Sequence, residues 1–161
     1  MMKKFFLLLI VISSGFTGLS QTYIYKTERM YFNEMLCNVN DGYVLPENSN
    51  MWSDAVYTAR NNKIFEGFST STFDILYTIS EDHLFIGDSN FSFDIVYTIK
   101  NGRVYKGDST MMLDCLYTYD IKTNRIYTGD STFSLDAVLF LQGEALNSEE
   151  LFAVLISQKM L

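Results

Sequence analysis

The sequence predicts an all-β protein: a β-solenoid or a stack of β-hairpins built from six repeats of about 20 residues and finished by a C-terminal capping helix. A closed antiparallel barrel is the alternative that the same pattern allows. Three observations carry this expectation. An acidic residue followed by a short apolar run returns in one frame: "DAVYTA" at Asp54, "DILYTI" at Asp74, "DIVYTI" at Asp94, "DCLYTY" at Asp114 and "DAVLFL" at Asp136. Ten residues before each of these a second run opens, at Val44, Ile64, Leu84, Val104 and Ile126. Between the runs stand residues that tolerate positive φ, such as Asp41-Gly42, Asn61-Asn62 and Asn101-Gly102.

Residues 1–20 read as a signal peptide. Lys3 and Lys4 precede "FFLLLIVI", an apolar run too short to span a bilayer, and Gly18 and Ser20 suit a cut before Gln21. No Cys follows that cut, which argues against lipid attachment there. The implied address is the periplasm, the outer surface or the medium, with no membrane span after cleavage. The whole chain carries a formal charge of −7. Without the two leader lysines, 10 basic residues face 19 acidic ones, a net −9. No basic face is visible, so nucleic acid is excluded as a partner.

The repeats occupy 21–142. The frame extends back to Glu34, with Ile24 ten before it, so the six units run from about Tyr23 to about Gln142. Each unit reads as two strands. In the fourth unit the first spans Phe93 to Ile99 and the second Arg103 to Lys106. Alternation puts Phe93, Ile95, Tyr97 and Ile99 on one face, taken as the inner one. Two strands cannot hide an apolar face, but stacked copies can. Tyr57, Tyr77, Tyr97 and Tyr117 then form one ladder, and Ile75, Ile95 and Cys115 another. The two-residue insertion in "DIKTN" falls in a turn, where an exposed loop accepts it. Residues 143–161 break the frame. "NSEELFAVLISQKM" has Asn147 to cap, Glu150 at the capping-box position and apolar residues at helical spacing, Leu151, Val154 and Leu155. Such a helix would cover the open strand edge of the last unit.

"VYKG" and "IYTG" resemble the Tyr-x-Gly of MORN repeats, and the aromatic period is similar to that of cell-wall-binding repeats. The resemblance implies tandem β-hairpins over the repeat region. The later Gly-x-Gly of the first family and the tryptophan pairs of the second are missing, since Trp52 is the single Trp. Ligand sites therefore do not transfer.

Two rows of aspartates stand out. Asp54, Asp74, Asp94, Asp114 and Asp136 share one position; Asp88, Asp108 and Asp130, each followed by Ser, share another. Stacked carboxylates repel, so they need local partners or a cation. Backbone and corner capping is the expected role. Calcium is the competing one, with Asp88, Asp94, Asp108, Asp114, Asp130 and Asp136 as candidate ligands. Cys37 and Cys115 lie four units apart, about 19 Å at ~4.8 Å per strand, beyond disulfide reach. They are expected to be free and buried. His83 is the only histidine, which gives no zinc set and a poor basis for Ser–His–Asp catalysis. Thr58, Thr78, Thr98 and Thr118 form a row on the β-surface.

These readings point to an exported, non-catalytic repeat scaffold of the bacterial envelope with an unidentified protein or glycan partner and no cofactor. A carbohydrate- or envelope-binding module with exposed aromatics is the second reading, and a hydrolase the third.

Overall fold

A computed structural model describes residues 21–161, so the expected signal peptide lies outside the described residues. Each unit forms the two expected strands. In chain order these are β1 (Gln21–Tyr25), β2 (Met35–Asn40), β3 (Tyr43–Pro46), β4 (Tyr57–Arg60), β5 (Lys63–Glu66), β6 (Ile75–Ser80), β7 (His83–Ile86), β8 (Ile95–Lys100), β9 (Arg103–Lys106), β10 (Cys115–Asp120), β11 (Arg125–Thr128) and β12 (Ala137–Gly143), followed by helix α1 (Ser148–Ser157). Every strand pairs antiparallel with its neighbours in sequence, and β1 pairs with β12, from Thr22 opposite Gly143 to Tyr25 opposite Phe140. The result is a closed barrel of 12 strands. The open solenoid is thus replaced by the barrel alternative. Ring closure gives every strand two partners and leaves no edge to protect.

Hairpin turns gather at one rim and the longer corners at the other. Asp41, Asn61, Asn62, Glu81 and Asn101 all take positive φ, between 50° and 60°, so reversal is supplied by residues that tolerate it. At Gly102 (φ 75°) a Cβ would sit 2.5 Å from the Tyr119 carbonyl oxygen, so the turn also needs the missing side chain.

The first strand of a unit starts later than its apolar pattern suggests. Ser92–Asp94 form a short 3-10 turn, and β8 begins after Asp94, at Ile95. Within the strand the pairing slips once: Ile95 faces Phe85 and Tyr97 faces Leu84, so Val96 is an extra residue. The same bulge falls at Leu36, Leu76, Leu116 and Val138. A bulge reverses the alternation. Tyr97 and Ile99 therefore belong to the inner cluster, Ile95 lies on the outer face with Phe85, and Phe93 stands in solvent. The expected inner face was correct for two of its four residues.

Equivalent strands are second neighbours, separated by the other strand of the unit. Tyr57, Tyr77, Tyr97 and Tyr117 therefore do not stack in a hydrogen-bonded ladder. They stand on alternate strands, about 10 Å apart along the wall, and ring the lumen.

Helix α1 has no edge to cover and takes the lumen instead. Leu151, Phe152, Ala153, Val154 and Leu155 are each no more than 1% exposed. Five consecutive helical residues point in every direction around the axis, so wall surrounds the helix on all sides. Their neighbours are the inner residues of the strands, among them Val44, Ile64, Leu84, Val104 and Ile126. Asn147 caps the helix, with Glu150 completing the capping box. The helix enters at the hairpin rim, where the Leu146 N–H donates to Tyr119 Oη (3.0 Å). It points toward the corner rim, where Tyr117 Oη donates to the Met160 carbonyl (3.2 Å).

Candidate functional site

The corners hold both aspartate rows, and the rows have different jobs. Ser49, Ser69, Ser89, Ser109 and Ser131 each donate their hydroxyl to the aspartate five residues on: Asp54, Asp74, Asp94, Asp114 and Asp136. Each serine Oγ also accepts the backbone N–H two residues ahead, for example Phe91 to Ser89 at 3.2 Å. This relay fixes the corner and is the capping role the sequence suggested.

The second row reaches sideways. Lys63 meets Asp88 (2.5 Å), His83 meets Asp108 (3.2 Å) and Arg103 meets Asp130. Arg125 pairs with Glu28 of the first unit, so the belt continues across the closure. Each pair links the second strand of one unit to the corner of the next. Exposed pairs of this kind add little stability, but they are consistent with the neighbour register. His83, the sole histidine, is thereby a belt residue. The six calcium candidates divide between these two networks, and no three His, Cys, Asp or Glu side chains gather at one point among the described residues.

Thr58, Thr78, Thr98 and Thr118 face outward beneath the corners. Their hydroxyls donate to the carbonyls of Gly67, Gly87, Gly107 and Gly129 at 2.7 to 2.8 Å. The cysteines occupy opposite faces of the wall. Cys37 lies in the inner cluster, and burial pushes its pKa up to about 12, against weaker opposing hydrogen bonds from Ser157 and Gln158. Cys115 lies on the outer face opposite Tyr105, and burial raises it too. Both are free and buried.

At the hairpin rim, acidic groups surround the start of α1. Glu149 accepts the Asn62 N–H (2.9 Å), and Glu150 accepts that of Asn147 (3.1 Å). Burial raises the Glu150 carboxyl pKa. Both carboxylates are thus engaged with backbone.

The corner rim carries the feature that alternation alone missed. Each 3-10 turn lifts large apolar residues into solvent. Phe73, Phe93, Leu113 and Leu135 are 92 to 97% exposed, and Phe32, Trp52, Phe91, Met112 and Phe133 are also exposed. Five of the six corners, 47–54, 67–74, 87–94, 107–114 and 129–136, contain no Lys or Arg. The rim's signal is an apolar residue one position before most of the aspartates, which strand alternation accommodates equally well. No helix among the described residues is long and apolar enough to cross a membrane.

No curated protein and no solved structure matches the chain. One family model does, over residues 24–155, and its description is "6-fold beta flower protein". That span takes in all six units and most of the central helix. The sixfold repeat, the closed ring of hairpins and this match agree: the chain belongs to the 6-fold beta flower protein family.

Proposed function

We propose that the protein is an exported, non-catalytic scaffold of the bacterial cell envelope that docks on a protein partner through its corner rim. The observation that carries this reading is the ring of solvent-facing apolar side chains, one set per unit, all at one end of the barrel. A soluble monomer rarely displays contiguous apolar surface on this scale without a use for it. The flanking carboxylates are tied into the serine relay, so the rim offers apolar knuckles on a stiff frame. Anionic lipid is a poor match, because a membrane-surface site needs Lys or Arg among its apolar residues and five corners have none. Export is supported by the charged and apolar leader that the sequence carries.

Photocrosslinking in cells tests this. A photoreactive residue at position 93 should form an adduct with one discrete envelope protein, and the same residue at position 81, on the hairpin rim, should not. The fourfold variant Phe73→Ser, Phe93→Ser, Leu113→Ser, Leu135→Ser should keep the melting temperature and prevent that adduct. Equal labelling from both rims, or none from either, overturns the proposal.

A further inference from the structure

One unit breaks the pattern that the others keep. Beneath each corner the second strand buries a residue on the outer face. It is Tyr25, Phe65, Phe85, Tyr105 or Tyr127 in five units, all under 8% exposed, but Leu45 on β3. The corner after β3 is also different: Pro46 and Glu47 stand where later units have other residues and then a glycine of positive φ. The β3–β4 ladder is short, with only Tyr43 opposite Thr58 and Val44 opposite Tyr57. Here a groove of about 260 Å³ opens, lined by Asn40, Asp41, Tyr43, Leu45, Asn50 and Trp52.

The groove is polar by construction. Asn38 stands where the next four units have threonine and is 1% exposed. Its Nδ2 donates to the Ser49 carbonyl (3.0 Å) and the Pro46 carbonyl (3.4 Å). Gln21 Nε2 bridges Asn38 Oδ1 (3.5 Å) and Asn50 Oδ1 (3.3 Å). Asn40 Oδ1 is buried with no hydrogen-bond partner among the described residues. A buried acceptor without a donor is unfavourable, and a ligand hydroxyl would supply one. Arg60 holds the Asp41 carboxylate at 2.5 Å and stacks on Tyr43 (4.5 Å). Trp52 is set edge-on against Phe68 (centroids 5.5 Å) and stays 60% exposed.

We infer that this first-unit groove binds a neutral saccharide. Aromatic surface suits the C–H face of a sugar ring, and fixed carboxamides and a carboxylate suit its hydroxyls. An anionic ligand would meet a chain of net −7, in a groove whose one arginine is already paired with Asp41. A peptide adding as a strand has no free edge here, since β2, β3 and β4 are all paired on both sides. The site is independent of the rim reading, although Trp52 belongs to both surfaces.

Trp52, the only tryptophan, reports on the groove directly. The protein is titrated separately with glucose, galactose, N-acetylglucosamine and their β-linked dimers, and with trialanine. A saturable fluorescence change with at least one saccharide is expected, and trialanine should give none. Leu45→Phe restores the ring of the other units without touching the rim; it should weaken that binding at least about tenfold. Asn40→Ala removes the orphan acceptor; it should also weaken binding while leaving the melting temperature unchanged or higher, which a purely structural asparagine would not do. The inference fails if no saccharide moves the signal, if trialanine matches the saccharides, or if both variants bind as the parent does.

Discussion

A phenylalanine can be spent in two ways in this chain. Phe93 stands in water on a corner, whereas Phe85 lies beneath the next one, 6% exposed. What separates them is the serine–aspartate relay that turns the backbone between them. Asp94→Ala leaves the Ser89 hydroxyl without its acceptor and should cost about 1 kcal/mol in denaturant melts, with no change in secondary structure. That role was readable from residue chemistry, because aspartate and serine favour corners. The fate of Phe93 was not, because an apolar residue beside a strand fits its alternation equally well. The cysteines offer a second measurement. Neither thiol should react with a water-soluble disulfide reagent until denaturant unfolds the barrel. Cys37 is raised from 9.0 to about 12, so below pH 9 both folded and unfolded chains keep the proton. Above pH 9 the unfolded thiol ionises first, so stability contributed by Cys37 falls as pH climbs toward 12. Cys37→Ala should flatten that part of the stability profile relative to the parent.

At the scale of elements, the bulge and the helix decide the interior. The bulge adds one residue in five of the six units and sets which side chains enter the lumen. Nothing in a period of two announces it, and this is why the inner face was half right. The helix was legible in its cap and its turns. Its position was also written in the sequence, since "LFAVLI" is apolar without interruption and an exposed amphipathic helix would not be. Phe152, 0% exposed in the lumen, should cost about 3–5 kcal/mol as Phe152→Ala, read from urea unfolding. Turns and corners should respond differently to one added methyl. At Gly87 (φ 63°) a Cβ meets nothing within 4 Å, so Gly87→Ala should cost only about 1 kcal/mol for its backbone geometry. Gly102→Ala adds a clash with the Tyr119 carbonyl and should cost distinctly more.

For the whole molecule, repetition and closure have opposite consequences. Six similar units and their two strands apiece were legible, because the frame repeats faithfully. Closure was not, because an open stack and a ring ask the same of each unit's sequence and differ only where the first meets the last. An open array tolerates loss of a repeat. A ring does not: excising residues 83–102 would leave ten strands around a helix that still needs its ~10–12 Å width. That deletion should give insoluble or molten protein, whereas an array would merely lose part of its melting temperature.

The bond between the Thr22 hydroxyl and the Glu144 carbonyl (2.7 Å) spans 122 positions, and the helix that fills the lumen follows it in the sequence. The seam can be stitched only after residue 144 has left the ribosome. Until then a growing half-ring keeps two raw margins and a hollow middle, and neither is filled before β12 and the helix have been made.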